Sequence, residues 1–122
     1  MQDNDLQVII SGRSEEKCRA LCARLTNAAN PPQFHAADIL SNTAAHLASV
    51  KPDIVIHTSG PFQSQGYDVA RACIEYGCHY IDLADGRDFV ENIAQLNTAA
   101  VAAGVTVISG ASSVPALTCA VI

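Results

Sequence analysis

Five short apolar runs recur along the chain, each pair separated by enough residues for a helix. This alternation is what most limits the fold. The runs are residues 6–11 (LQVIIS), 34–37 (FHAA), 53–58 (DIVIHT), 79–83 (HYIDL) and 105–109 (VTVIS). Strands alternating with helices imply βαβ units and a parallel sheet. The runs are nearly all apolar, as expected where helices cover both faces. The expected fold class is α/β, a doubly wound parallel sheet of five strands.

The intervening segments carry helix signals. Ser14 is placed to cap a helix whose first turn holds Glu15 and Glu16, where the helix dipole favours negative charge. Cys18, Leu21, Cys22 and Leu25 fall at i, i+3, i+4 and i+7 and predict one buried stripe. Asn30-Pro31-Pro32 breaks the chain. Ser41 opens a short helix with Leu40, Ala44, Leu47 and Ala48 inward, stopped by Pro52. A helix from about residue 66 buries Val69, Cys73 and Tyr76 and ends at Gly77. A longer helix over residues 87–103 repeats Phe89, Ile93, Leu96 and Ala100 on one face and ends at Gly104. Another helix starts near Pro115.

Composition closes several alternatives. A chain of 122 residues with 49% hydrophobic residues has the size of one domain and the material for a core, which excludes a disordered chain. No apolar run approaches the roughly 18 residues of a membrane span, so no membrane partner is expected. The acidic, polar start does not read as a signal peptide. With 7 Lys+Arg against 12 Asp+Glu, the net charge of −5 leaves no footprint for nucleic acid. The five cysteines (Cys18, Cys22, Cys73, Cys78 and Cys119) show no zinc spacing and read as small buried hydrophobes in a reducing, cytoplasmic setting. The four histidines show no ligand spacing either, and no metal is expected.

In open parallel sheets, ligands bind beyond the carboxyl ends of the strands. The first run ends in Gly12, Arg13 and Ser14, a glycine for a close turn, a guanidinium suited to phosphate and a hydroxyl at a helix start. The plainer alternative is a cap beside a solvated charge. The second run ends at Asp38 and Ile39, where the acid either meets an adenine edge or caps the next helix. The third ends in Ser59, Gly60, Pro61 and Phe62: Gly60 admits a ligand to the backbone, and Phe62 either packs on a flat ring or belongs to the core. After the fourth come Asp82, Asp85, Gly86 and Asp88, three carboxylates that suit either a metal or acid–base chemistry or simply the acid-rich start of a helix, and after the fifth Ser112 and Ser113. The stretch from Gly110 to Val114 lacks the second glycine of a nucleophile elbow, so a hydrolase is not supported. A phosphoacceptor receiver would need acids after its first strand, an Asp after its third and a Lys after its fifth. None of these positions carries one.

Three motifs carry a family resemblance. GPFQSQGYDVARACIEYGCHYIDLADGRDFV (residues 60–90), AGVTVISGASSVPAL (103–117) and IISGRSEEKCRAL (9–21) together resemble the NADP-binding domain of the saccharopine dehydrogenase-like family. The resemblance implies a Rossmann domain of an oxidoreductase, with hydride transfer involving a nicotinamide cofactor and NADP preferred over NAD. It implies that Arg13 and Ser14 beside Gly12 hold the 2′-phosphate, Asp38 and Ile39 flank the adenine, and Ser59, Gly60, Pro61 and Phe62 line the ribose and nicotinamide. Asp82, Asp85, Gly86, Ser112 and Ser113 would face the reacting end.

No residue stands out as catalytic. Family members begin with a strand and a G-x-G-x-x-G helix, which residues 1–122 lack, and carry a second domain for substrate or dimerisation. The chain is therefore expected to be an incomplete Rossmann domain, a fragment whose small-molecule substrate is met by the full-length protein. A homo-oligomer stays open, as does a non-catalytic flavodoxin-like or Rossmann-like module for binding or assembly. In the parent order 3-2-1-4-5-6, loss of strand 1 leaves a slot. If it closes, the order becomes 2-1-3-4-5, with residues 6–11 paired directly to residues 54–58.

Overall fold

A computed structural model describes residues 6–25 and 30–113. The helix expected near Pro115, and Cys119, lie outside them. The elements follow the order β1 (Ile9–Gly12), α1 (Glu15–Arg24), β2 (Gln33–Ala36), α2 (Thr43–Val50), β3 (Ile54–His57), α3 (Asp68–Tyr76), β4 (His79–Asp82), α4 (Arg87–Asn92), α5 (Asn97–Ala103) and β5 (Val107–Ile108). Short 3-10 turns occupy Phe62–Ser64 and Ile93–Leu96. The fold is α/β and every strand pairing is parallel, as the alternation requires.

The strands do not form one sheet. β1 pairs with β2 in one sheet, and β3, β4 and β5 form another in that order. The expected pairing of residues 6–11 with 54–58 is not made, so the order 2-1-3-4-5 is corrected. Each observed pair joins strands consecutive in sequence, with a helical crossover between them. Removing strand 1 from the order 3-2-1-4-5-6 leaves these same two groups of neighbours. The chain accordingly divides into two compact units, Met1–Val50 and Lys51–Ile122.

In the first unit, β1 and β2 run in register from Ile9↔Gln33 to Gly12↔Ala36, and α1 packs on both. Ser14 caps α1 as expected, accepting from the Lys17 amide at 3.3 Å. The stripe on α1 is narrower than its periodicity suggests. Cys18 is buried, but Leu21 and Leu25 are 41% and 45% exposed. A sheet two strands wide offers too little surface to cover four positions. On α2 the inward residues are His46 and Leu47, with Thr43 and Val50 half-buried on the same stripe, while Leu40, Ala44 and Ala48 are exposed. The expected stripe is thus rotated, and the helix buries a histidine. The His46 Nε2 atom lies 3.0 Å from the Ser11 hydroxyl, and its ring meets His35 at 4.8 Å between centroids.

In the second unit, Ile54↔His79 to His57↔Asp82 and Tyr80↔Val107 to Ile81↔Ile108 set the register. α3 packs on β4 and α5, burying Val69, Ala70, Cys73 and Ile74. Tyr76, expected inside, is 41% exposed. Gly77 and Gly104 end α3 and α5 in the left-handed conformation (φ 90° and 69°), which favours glycine. The single helix expected over 87–103 is interrupted by the 3-10 turn, yet Phe89, Leu96 and Ala100 still face inward. Only one face of this sheet is well covered, since Ile54, Ile56 and Ile108 are exposed. The covered face carries polar groups: His57, Tyr80 and Asp82 are all buried, and the His57 Nδ1 atom lies 3.0 Å from the Tyr80 hydroxyl. Cys73 and Cys78 are free and buried, and burial pushes both thiols above their ordinary pKa.

Two outcomes follow from this packing. A Cβ on Gly12 would stand 3.1 Å from the Cys18 sulfur, at the β1–α1 contact. Gly12→Ala should cost about 1–3 kcal/mol of stability by overpacking. In denaturant titrations the cost should shrink in a Cys18→Ala background, and an equal cost in both backgrounds would clear this contact.

The second outcome concerns acid. Burial lowers the pKa of His57 and His46, with the neighbouring His35 adding to the effect at His46 and Asp82 opposing it at His57. At pH values well above the ordinary histidine value of about 6.5, both rings are neutral in folded and unfolded chains alike. Below it, the unfolded chain binds protons that the fold resists, so stability falls as pH drops towards the lowered folded values. The slope should approach about 1.4 kcal/mol per pH unit for each histidine. Unfolding titrations between pH 7.5 and 5.5 should show His46→Gln and His57→Gln each removing a share of that slope.

Candidate functional site

The carboxyl ends of the strands place the candidate residues. At the end of β1, Gly12 accepts the Ala37 amide at 3.0 Å through its carbonyl, tying the ends of β1 and β2 together. Arg13 follows. It is exposed and has neither hydrogen bond nor ion pair among the described residues. By contrast, Arg19 is paired with Glu15 and lies 5.1 Å over the Phe34 ring. The Ser14 oxygen accepts from the helix amide, which leaves its own proton free to donate. A guanidinium and a hydroxyl at the start of a ten-residue helix suit a phosphate.

At the end of β2, Asp38 turns the chain. Its Oδ1 accepts the Leu40 amide at 3.1 Å, and its carbonyl accepts the Ser41 amide at 3.2 Å. The acid thus closes a turn over residues 39–41 and does not cap α2, which starts only at Thr43. The Ile39 carbonyl accepts the Thr43 hydroxyl. Beside them lies an open cavity of about 220 Å³ lined by His35, Ala37, Asp38, Ser41, Asn42, Ala45 and His46.

In the second unit, β3 leads into an exposed stretch, residues 58–61, that ends at Phe62. A Cβ built on Gly60 would rest in ordinary contact with the Phe62 ring at 3.8 Å, and the residue itself is exposed. The Gln65 side-chain amide donates to the Ser59 and Pro61 carbonyls and holds the turn. Phe62 is buried with Ala84 and Phe89 and stands edge-on to His57 at 5.1 Å. It is a core residue rather than an exposed platform for a ring.

After β4, the three acids part company. Asp82 is 0% exposed. Its Oδ1 accepts from the Ala84 amide (3.0 Å), the Ser109 hydroxyl (2.9 Å) and the Gly110 amide (2.9 Å). Asp85 is exposed and accepts from Gln63 at 3.0 Å, bridging the turns after β3 and β4. Asp88 lies in the first turn of α4. A Cβ on Gly86 would stand 3.5 Å from Gln63. Ser112 is half-buried and Ser113 exposed, beyond an Ala111 amide that donates to the Asp82 carbonyl at 2.9 Å. Among the described residues, no three His, Cys, Asp or Glu side chains are placed to hold a metal ion, and no helix is long and apolar enough to cross a membrane. The larger concavity, about 270 Å³, is lined by residues of α5 and by Val105 and Thr106 just before β5, away from the carboxyl ends of the strands.

The sequence reading missed His57, Tyr80, Ser109 and the two glutamines, Gln63 and Gln65. A signal for the first two was available. Tyr80 and Asp82 are two apart in one strand and share a face, and His57 is a polar residue within the otherwise apolar stretch 54–57 of the third run.

Comparison with known proteins fits this geometry. Residues 1–108 match the family model of the saccharopine dehydrogenase NADP binding domain. A mouse saccharopine dehydrogenase-like oxidoreductase is 27% identical over 94% of this chain and 29% of its own length. A lipid droplet localized protein of Caenorhabditis elegans is likewise 27% identical over 94% of this chain and 29% of its own. A trans-acting enoyl reductase of Mycobacterium leprae is 26% identical over 94% of this chain and 28% of its own. The chain thus spans less than a third of the relatives it matches. Apo saccharopine dehydrogenase (L-Glu forming) from Saccharomyces cerevisiae superposes with a TM-score of 0.72 at 17% identity, over 95% of this chain and 24% of that one. With its parallel strands and a phosphate-suited turn after β1, the chain belongs to the saccharopine dehydrogenase NADP-binding domain family.

Proposed function

We propose that this chain holds NADP, in preference to NAD, for an oxidoreductase whose substrate is a small molecule. The observation that carries the reading is Arg13, exposed and without a partner among the described residues at the carboxyl end of β1, next to the Ser14 hydroxyl at the start of α1. These groups fit a 2′-phosphate: a planar charged fork, a neutral donor and a helix N-terminus on one turn. No acid occupies the position of Arg13, where a carboxylate would select the free ribose hydroxyl of NAD.

Asp38 and Ile39 would flank the adenine. The open backbone at Ser59, Gly60 and Pro61 would run along the ribose and nicotinamide. When bound, the cofactor supplies hydride transfer, and the chain supplies position and electrostatics. The turns that hold Asp85, Gly86, Ser112 and Ser113 would face the reacting end.

The test is a pair of binding titrations on the full-length protein. Arg13→Ala should weaken NADPH by about 10- to 100-fold, the loss of a charge-assisted contact of ~1.5–3 kcal/mol. NADH should bind as before. Equal affinities for the two cofactors, unchanged by the substitution, would remove Arg13 from the site.

A further inference from the structure

Asp82 is an unusual occupant of a strand core. Its carboxylate is wholly buried, and Oδ2 has no hydrogen-bond partner among the described residues, while burial and the nearby Asp82 together push the Tyr80 hydroxyl's pKa up. Burying a carboxylate with one oxygen unpaired costs stability.

What an apolar residue could not do is accept hydrogen bonds, and Oδ1 accepts three. They come from two separate turns: the Ala84 amide after β4, and the Ser109 hydroxyl and Gly110 amide after β5. The Asp82 carbonyl adds a bond from the Ala111 amide. One residue therefore sets the backbone at two strand ends. The third strand end is tied to the same place. His57 is the Cα partner of Asp82, and its ring meets Phe62, where the turn after β3 enters the core.

We propose that Asp82 is a positioning residue, whose Oδ1 fixes the turns after β4 and β5 in the arrangement that receives the nicotinamide half of the cofactor. It touches neither cofactor nor substrate. This inference rests on the reading of the chain as an NADP-binding domain. It changes the expected part of Asp82 from a group facing the reaction to one that holds the groups that do.

The test separates the two halves of the cofactor. In the full-length protein, NADPH probes the whole site, and 2′,5′-ADP probes only the adenosine end at Arg13 and Ser14. Asp82→Ala should weaken NADPH by about tenfold or more and leave 2′,5′-ADP within about twofold. Asp82→Asn, whose amide oxygen can replace Oδ1, should recover most of the loss. Independently of any ligand, hydrogen exchange at the Ala84 and Gly110 amides should accelerate together in Asp82→Ala and be protected again in Asp82→Asn.

Undiminished NADPH binding in Asp82→Ala would overturn the proposal. So would parallel loss of NADPH and 2′,5′-ADP in a folded variant. If Asp82→Ala does not fold, Ser109→Ala decides, since it removes one of the three donors. It should loosen the Gly110 amide and weaken NADPH alone, and no change in either would overturn the proposal. A wild-type protein that binds neither ligand overturns the cofactor reading on its own.

Discussion

A parallel strand cannot join its neighbour by a tight turn. The chain must cross a face of the sheet and return, and a helix is the usual way to do so. Most other features of this protein follow from that constraint. It places α1 between β1 and β2, α3 between β3 and β4, and the interrupted helical segment between β4 and β5. It gathers the strand-to-helix turns of each sheet at one end, where backbone amides and helix starts are available to a ligand.

Much of this was legible in the sequence, because the signals are local. Ser14 before two acids, and Gly77 and Gly104 after apolar stretches, mark helix ends through chemistry that works within one turn. The five runs gave the strands, and three motifs gave the family. What escaped was non-local. The stripe on α2 turns about Leu47 to bury His46, because the Ser11 hydroxyl waits across the unit. A reading that counts alanines as core cannot find that. The fate of β1 depended on which strands lie beside it, and an apolar pattern does not encode that.

The candidate site shows the same division. The open turn at Gly12, Arg13 and Ser14 is contiguous in sequence, so its chemistry can be read from the residues. Asp82 looked like one of three acids at a helix start. Its part depends on Ser109 and Gly110, 27 and 28 positions away, and on His57 in the neighbouring strand. Phe62 is a similar case. An aromatic ring after a Gly-Pro turn reads equally well as a platform or as core, and only Phe89 and His57 around it decide.

The stretch from Thr58 to Pro61 has a consequence of its own. It is exposed along its length, yet clamped at both ends, by His57 in the sheet and Phe62 in the core, and Gln65 braces it from within. Such a turn has little conformational freedom left to lose when a ligand settles on it. On the proposed cofactor reading it would serve as a fixed shelf rather than a closing flap. A molecule that matches it gains affinity from a surface already set, and one of the wrong shape meets a surface that does not yield.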